Sequence, residues 1–269
     1  MRPAQSIQAF KQFQVRVLTD VRELALAEEL VQSAYLDSGK TAAWKADSTP
    51  RASDQDNRRI RVLGMFSGSR CVGSAVLHFP ESPRHGSDLP FAFLPETVQK
   101  EGIARGILPR PEECVEVSRL AIDKAFRGSG ALKVIFQSLH RELRLSGRSK
   151  LLISSDQRLL AKYRSVTFHP IGLTYSKQQQ DHADRITVMV SKQKHFGSYA
   201  VAVDPIRWCL FVKEPVENLR NEGLLKLSAL ERIVYPTYSL FEPLAKVISE
   251  AVLARETARF SFRKAQSKS

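Results

Sequence analysis

A strand, a glycine-bearing turn and a long helix follow one another between residues 113 and 145, and this succession restricts the fold more than any other feature. Residues 113–122 (ECVEVSRLAI) alternate between polar and apolar side chains, which predicts a half-buried strand. Residues 127–130 (RGSG) form a tight basic turn. The helix that follows is predicted from apolar residues at helical spacing, namely Leu132, Ile135, Phe136, Leu139 and Leu143.

The pattern around this unit predicts an α/β fold. From Phe13 to Val190 the order of elements is strand, helix, two-strand hairpin, strand, helix, strand, helix, strand, strand. This order favours one mixed central sheet flanked by helices. The segment 80–113 is rich in proline, and we expect an irregular excursion with one short helix near Glu96.

The chain divides into three predicted parts. Residues 1–12 are a flexible lead-in, residues 13–214 form the α/β domain, and residues 215–269 form a helical C-terminal extension. The extension has apolar helical stripes with basic residues between them, and we expect Pro236 and Pro243 to break its helices.

Composition excludes several classes of protein. The 269 residues are 43% hydrophobic and 26% charged, which is ordinary for a soluble globular protein. No apolar run approaches the ~20 residues that a membrane-spanning helix needs, and the start of the chain has no signal-peptide pattern, so a cytoplasmic location is expected. The dispersed cysteines and histidines predict neither a disulfide framework nor a metal site.

The formal net charge of +13 indicates an anionic partner. Nucleic acid, anionic lipid, a phosphorylated cofactor and an acidic protein all fit this charge. A charge that serves solubility alone fits it as well.

The turn at residues 127–130 has the properties of an anion-binding site. Unpaired N–H groups at the start of a helix, and the positive end of its dipole, favour an anion. Gly128 and Gly130 let the backbone approach a phosphate closely, and Arg127 adds a charged donor. The turn therefore predicts a cradle for a pyrophosphate or phosphopantetheine group. The alternative is a basic turn that only connects the strand to the helix.

The same turn resembles the acyl-CoA-binding signature of the Gcn5-related N-acetyltransferase superfamily, Arg/Gln-x-x-Gly-x-Gly/Ala. Arg127 and Gly130 are in place, and Leu132 stands at the final position. The resemblance covers about residues 13–190. It implies the acyltransferase fold of that superfamily, with no tightly bound cofactor and with acyl-phosphopantetheine or acyl-CoA as co-substrate. It also implies that the donor is bound by Arg119, Ala121, Ile122, Arg127, Gly128, Ser129, Gly130 and Ala131.

EVSRLAI (residues 116–122) resembles one branch of the superfamily more closely. Acyl-homoserine-lactone synthases and long-chain N-acyl amino acid synthases carry E-x-S-R-(F/L)-A-(V/I), and their acyl donor is usually an acylated acyl carrier protein. The resemblance implies Glu116 as general base, with Ser118 and Arg119 orienting donor or acceptor. The aromatic and acidic N-terminal segment of this branch is only faintly present, at Tyr35, Asp37, Trp44, Asp47, Asp54 and Asp56.

Elementary chemistry gives Glu116 a role independently of the resemblance. Alternation along a strand places Glu116, Ser118 and Leu120 on one face, and Val117, Arg119 and Ala121 on the other. An amine is mostly protonated at neutral pH and must lose a proton before it attacks a thioester, and a partly buried carboxylate can accept that proton. The alternative is an ion pair between Glu116 and a basic neighbour.

A tyrosine lies in the second segment that resembles the superfamily. AKYRSVTFHPIG (residues 161–172) is similar to the superfamily's LYxxxGFxPIG, with Thr167 where glycine is usual. The resemblance implies that Tyr163 protonates the departing thiolate. The alternative is a core tyrosine whose hydroxyl is hydrogen-bonded. We expect a structural role for His169 and no activation of Cys114 as a nucleophile.

The positive charge fits an acidic acyl carrier protein docking at a basic rim. Solvated basic side chains are the alternative. The predicted rim consists of Arg105, Arg110, Arg127, Lys133 and Arg148.

These patterns leave three functions open. The first is an N-acyltransferase that moves a long acyl chain from the carrier protein to an amino acid or similar amine. The second is an acetyl-CoA-dependent N-acetyltransferase. The third is a non-catalytic module that binds RNA or an anionic membrane through its basic tail, and the stripe at 240–260 would suit a membrane surface. Nucleic acid is not expected as a partner of the enzyme.

Overall fold

The computed structural model describes most of the chain. The described residues are 13–37, 60–80, 96–166, 168–179, 182–192, 205–227, 229–248 and 250–251. The predicted lead-in at residues 1–12 lies outside them.

In the described part of the chain, seven strands form one mixed sheet. In chain order they are β1 (Gln14–Val17), β2 (Ile60–Ser67), β3 (Arg70–His78), β4 (Cys114–Ile122), β5 (Lys150–Asp156), β6 (His169–Gln179) and β7 (His182–Lys192). They lie in the order β1-β2-β3-β4-β5-β7-β6. Neighbours are antiparallel except β4 and β5, which are parallel. A parallel pair needs a crossover, and the predicted helix after the glycine turn supplies it. The prediction of an α/β fold with one mixed sheet flanked by helices is confirmed.

Helices cover both faces of this sheet. They are α1 (Val21–Asp37), α2 (Glu96–Ala104), α3 (Ala131–Leu145), α4 (Leu160–Ser165), α5 (Pro205–Phe211), α6 (Lys213–Asn221) and α7 (Ala229–Ser239), with a further helical stretch at 242–248. On one face α1 covers an apolar patch that includes Val62 and Val76, and Val98 of α2 belongs to a second patch with Leu152. On the other face α3 lies over the main core.

The stripe predicted for α3 is the centre of that core. Ile135, Phe136, Leu139 and Leu143 are fully buried. They pack against strand residues such as Val117 and Ile153. Each such side chain stabilises the fold by about 1.5–3 kcal/mol through burial of apolar surface. The helix therefore holds β4 and β5 in their parallel arrangement.

The C-terminal helices complete the α3 face. Trp208, Phe211 and Val216 are buried in the same core as α3. The side chain of Gln137 donates to the Leu210 carbonyl at 3.0 Å, which ties α3 to α5. Because α6 begins at Lys213, it crosses the predicted boundary between residues 214 and 215. The division into domains stays a prediction.

Pro236 does not break a helix, contrary to expectation. It lies inside α7, which continues to Ser239. A proline in a helix interior loses one backbone hydrogen bond. Tertiary contacts offset this loss, since Tyr235 and Tyr238 of the same helix pack edge-on against Trp208 with ring centroids 5.0 and 5.6 Å away.

Replacing Trp208 by alanine is expected to lower the free energy of unfolding by about 3–5 kcal/mol, because it removes a buried aromatic side chain and its two ring contacts. Urea denaturation followed by circular dichroism measures this loss. Leu244→Ala is the matched control at an exposed apolar position, with an expected change within about 0.5 kcal/mol. Equal, small losses for both variants would show that the C-terminal helices contribute little to the stability of the core.

His140 of α3 is a buried ionisable group within this core, with 1% of its surface exposed. Burial lowers its pKa to about 3, from 6.5 in an exposed chain. The unfolded chain therefore binds a proton at higher pH than the folded chain does. The stability that neutral His140 gives is fully present above about pH 6.5 and is lost as the pH falls towards 3.

The His140→Met variant should consequently be less sensitive to acid. Between about pH 7 and about pH 4.5, the wild type should lose about 2 kcal/mol more free energy of unfolding than this variant. Urea denaturation at the two pH values gives both numbers. His169→Met, at an exposed histidine, should lose as much as the wild type. A His140→Met variant that loses as much as the wild type would contradict the assignment.

Candidate active site

The two parallel strands at the centre of the sheet separate part-way along their length. They pair from Cys114 and Lys150 as far as Val117 and Ile153. Strand β4 then continues to Ile122 beside β3, while β5 continues beside β7. A gap opens between residues 118–122 and residues 154–156. We call it the β4–β5 groove.

Strand β4 carries a bulge at this groove. It places Arg119 and Leu120 opposite the single residue Ala75 of β3. The backbone of Arg119 has a φ of 50°, in the left-handed region that non-glycine residues rarely adopt. Such a conformation costs on the order of 1–3 kcal/mol, and strained residues of this kind cluster at functional sites. A bulge also turns backbone groups and a side chain out of their regular directions.

The bulge changes which side chains of β4 share a face. Leu120 packs in the core beneath α3 together with Val117, not beside Glu116 as strict alternation predicted. In the bulge, two residues of β4 face one residue of β3, and this shifts the alternation of β4 side chains by one position. The prediction is therefore wrong for Leu120. Glu116 and Ser118 precede the bulge and share the opposite face, as predicted.

The buried residues Glu116 and His78 and the partly buried Ser118 form a polar cluster, which we call the β3–β4 cluster. Glu116 is 1% exposed and His78 is 6% exposed, and the two residues lie directly opposite each other in the strand pairing. The Nε2 atom of His78 lies 3.0 Å from the Oγ atom of Ser118. Burying polar groups is costly, so a cluster of them beside a gap in the sheet is a candidate for chemistry.

Arg119 brings a positive charge to this cluster from the bulge. Burial lowers its pKa, and the nearby Glu28 and Tyr35 of α1 oppose that shift. Arg119 therefore lies on the α1 face, not on the face of Val117 as alternation predicted. Burial, helped by the charge of Arg119, lowers the pKa of His78 to about 4. The imidazole is thus neutral at physiological pH, next to a cation and a carboxyl group.

The other wall of the groove adds a hydroxyl group to the same region. Burial raises the pKa of Tyr175 on β6; Ser154 of β5 opposes the rise and the charge of Glu116 adds to it. Both Ser154 and Glu116 are therefore close to the Tyr175 hydroxyl. Side chains from β4, β5 and β6 meet where the sheet opens.

Tyr163 of α4 approaches the gap from the other face. Its ring packs edge-on against Phe136 and Phe168, with centroids 6.4 and 6.0 Å away. Burial raises the pKa of Tyr163, and the Tyr35 hydroxyl raises it further. Tyr35 belongs to α1 on the opposite face of the sheet, so its influence on Tyr163 acts across the sheet. The Tyr163 hydroxyl therefore stays protonated at neutral pH.

The glycine turn lies at the far end of β4 and opens α3, as predicted. Gly128 and Gly130 both have a φ of 85°, where a side chain would be strained. The first hydrogen bond of the helix runs from the Val134 amide to the Gly130 carbonyl at 3.2 Å. The N–H groups of Ala131 and Leu132 precede it, so they point out of the helix start. The backbone here has the form that an anion cradle requires.

The remaining residues predicted for the donor occupy different positions around this turn. Arg127 is exposed, and its Nε–H group donates a hydrogen bond to the Ile122 carbonyl at 3.1 Å. The hydroxyl of Ser129 donates to the Phe126 carbonyl at 2.6 Å. Ala121 and Ala131 have buried side chains, so only their backbone is available to a ligand. Their roles in binding stay predictions.

The predicted basic rim is only partly placed to attract a partner. Arg148 donates to the carbonyls of Pro80, Pro111 and Cys114 at 2.5–2.9 Å, which is a structural role. Lys133 is half-buried beside Glu214. Arg105 and Arg110 are exposed but form ion pairs with neighbouring glutamates. Arg127 is the rim residue that lies at the glycine turn.

Cys114 is unsuited to act as a nucleophile. It is fully buried, its Sγ atom lies 3.2 Å from the Arg110 carbonyl, and burial raises its thiol pKa to about 12. The thiol therefore stays protonated at neutral pH.

Several predicted acidic and aromatic residues of the N-terminal segment lie outside the described residues. These are Trp44, Asp47, Asp54 and Asp56, and the same holds for Thr167. Asp37 is exposed at the end of α1. Tyr35 is the member of this set that reaches the site.

Sequence patterns missed His78, Glu28, Ser154 and Tyr175. Each belongs to an element that was predicted, but its place in the site depends on strand register and on the seating of α1. A histidine that ends an otherwise apolar strand was the one available signal, in VGSAVLH (residues 72–78).

Within the described residues, no group of three His, Cys, Asp or Glu side chains is arranged to hold a metal ion. In the same part of the chain, no helix is both long enough and apolar enough to cross a bilayer.

Three solved structures illustrate what this chain is similar to. FeeM, an N-acyl amino acid synthase from uncultured soil microbes, is 16% identical over 67% of this chain and 90% of its own, with a TM-score of 0.49. The putative acetyltransferase yncA from Salmonella typhimurium, solved with its cofactor acetyl-CoA, is 18% identical over 67% and 93%, with a TM-score of 0.46. The ribosomal-protein-S18-alanine N-acetyltransferase from Escherichia coli is 12% identical over 70% and 97%, with a TM-score of 0.44.

These likenesses concern the fold. No protein-family profile matches the chain. No curated protein sequence matches it either.

Proposed function

We propose that this protein is an N-acyltransferase that moves a long-chain acyl group from the thioester of an acyl carrier protein to the amine of an amino acid. One observation carries the proposal. The β4–β5 groove has a buried carboxyl group, Glu116, at its inner end and the glycine turn at its outer end. Ile122 lies six positions after Glu116 along the strand, which is about 20 Å, a length that an extended phosphopantetheine arm can span.

The groove supplies each group that acyl transfer needs. Glu116 removes a proton from the acceptor ammonium, and the free amine attacks the thioester carbon. Backbone N–H groups of the bulged strand stabilise the negative charge on the tetrahedral intermediate. The C–S bond then breaks and Tyr163 gives its proton to the departing thiolate. The nitrogen of the new amide loses its second proton, which restores the Tyr163 hydroxyl. The amine, not the protein, carries the acyl group away, so no covalent enzyme intermediate is required.

The charges around the groove support the choice of acceptor and donor. Arg119 is a buried cation beside the β3–β4 cluster, and a carboxylate on the acceptor would pair with it. An amino acid has both the amine and that carboxylate. The net charge of +13 favours an acidic carrier protein as the protein that carries the acyl group. The cytoplasmic location stays a prediction.

Acetyl-CoA is the alternative donor, because the start of α3 accommodates a pyrophosphate as well as a phosphopantetheine phosphate. A non-catalytic role is the other alternative. In that case the buried carboxyl group at the groove would have no chemical purpose.

A donor competition assay tests the proposal. The full chain is incubated with palmitoyl acyl carrier protein or with acetyl-CoA, together with a mixture of the natural amino acids. Intact-mass spectrometry follows the carrier protein, and liquid chromatography with mass detection identifies the acylated products. Loss of the palmitoyl group with formation of an N-palmitoyl amino acid supports the proposal. Transfer from acetyl-CoA alone selects the alternative donor, and no transfer from either overturns the enzymatic assignment.

A further inference from the structure

His78 is the member of the β3–β4 cluster whose role the proposed reaction does not yet use. It ends strand β3, 6% exposed, and its Nε2 atom lies 3.0 Å from the Ser118 hydroxyl. It also lies directly across the strand pair from Glu116. Ser118 therefore lies at the groove near two groups, the proposed base Glu116 on its own strand β4 and His78 on the neighbouring strand β3.

The direction of the Ser118 hydroxyl decides what that residue can bind. A hydroxyl has one hydrogen to donate and two lone pairs to accept with. An ammonium group has only hydrogens. Ser118 can therefore bind the acceptor's ammonium only when its own hydrogen points elsewhere, and the unprotonated nitrogen of a neutral imidazole accepts that hydrogen.

The surroundings keep the imidazole in its neutral form. Arg119 faces His78 from the bulge, and Glu116 lies opposite it on β4. From α1, Glu28 and Tyr35 lie near the guanidinium of Arg119. Burial and the cation lower the pKa of His78 to about 4. A neutral histidine orients a partner but does not retain the reaction's proton, which leaves that task to Glu116.

We propose that His78 is a positioning residue for the acceptor: it accepts the hydrogen of the Ser118 hydroxyl, so that the Ser118 oxygen faces the groove and holds the acceptor's amine beside Glu116. This inference rests on the proposed function. His78 thereby makes a contribution to acceptor binding that the EVSRLAI strand cannot make alone.

Three variants test the inference through the Michaelis constants of donor and acceptor. In His78→Phe the hydrogen bond is lost, and KM for the amino acid should rise about tenfold or more while KM for the donor stays unchanged. Ser118→Ala removes the same bond from its other end and should give the same pattern. In His78→Gln a side-chain oxygen can accept the hydroxyl hydrogen, so most of the lost acceptor affinity should return.

The double variant His78→Phe with Ser118→Ala measures whether the two residues affect the acceptor KM through the same hydrogen bond. Because the two residues act through one bond, the double variant should be no worse than Ser118→Ala alone. Circular dichroism and urea denaturation establish that each variant is folded. If His78→Phe does not fold, the acceptor KM values of Ser118→Ala, His78→Gln and the wild type still test whether His78 positions Ser118.

The outcomes separate this inference from the proposed function. An unchanged acceptor KM in His78→Phe and Ser118→Ala, with an active wild type, overturns the inference alone. A loss in His78→Gln as large as in His78→Phe, with a shifted pH profile of kcat/KM, shows that His78 carries the proton, and this also overturns the positioning role. A wild type that transfers no acyl group from any donor overturns the proposed function and this inference with it.

Discussion

Glu116→Gln is expected to lower kcat/KM for acyl transfer by about 10²- to 10⁴-fold, because an amide cannot accept the proton of the acceptor ammonium. The substitution keeps the shape of the side chain, and Glu116 is buried opposite His78, so donor binding should change little. Steady-state kinetics with the donor that the donor assay selects gives the rate. A donor-binding titration confirms that the groove is intact.

Glu112→Gln is the matched control for this variant. Glu112 lies four positions earlier, is exposed, and pairs with Arg110 at 3.6 Å. Removing its charge should leave kcat/KM unchanged. If Glu116→Gln kept the activity of this control, the carboxyl group of Glu116 would be a structural member of the β3–β4 cluster and another group would have to remove the proton.

Arg127→Glu is expected to raise KM for the acyl donor by about tenfold to hundredfold, because it replaces a charged donor at the helix start with an anion that repels phosphate. Arg127 is exposed, and its side chain donates a hydrogen bond to the Ile122 carbonyl at the end of β4. The free energy of unfolding should therefore change by less than about 1 kcal/mol. Isothermal titration with the donor or its phosphopantetheine fragment measures the loss of affinity.

Arg22→Glu makes the same change of charge at an exposed position near the start of α1. It should leave donor affinity unaltered, which separates a local effect at the turn from the general effect of a lower net charge. If both variants bound the donor as tightly as the wild type, the glycine turn would be a connection between strand and helix and not a cradle.

Local patterns predicted the seven described strands and helices α1 to α4, but they did not predict the helix α5 at Pro205–Phe211. The alternation of ECVEVSRLAI and the stripe of α3 needed no knowledge of the rest of the chain. The glycine turn was recognised because only glycine readily adopts the conformation seen at Gly128 and Gly130.

The site was harder to predict because it depends on pairings between distant segments. The bulge at Arg119 arises from the register of β3 against β4, and no residue propensity indicates an arginine with a φ of 50°. The meeting of His78 with Ser118 joins residues forty positions apart. The burial of Trp208 against the α3 face likewise requires the sheet to exist first. In each case tertiary packing decided what a single segment could not.

The hydrogen bonds from Arg148 to three backbone carbonyls have a consequence for how the sequence of this protein can diversify. One guanidinium nitrogen contacts the Pro80, Pro111 and Cys114 carbonyls, so both ends of the excursion between β3 and β4 are fastened at one point. The entropic cost of a closed loop grows only slowly with its length. Residues can therefore be added to or removed from the parts of that excursion outside α2 without loosening the strands that it joins. Descendants of this chain are free to remodel those parts while the sheet around the β4–β5 groove stays fixed.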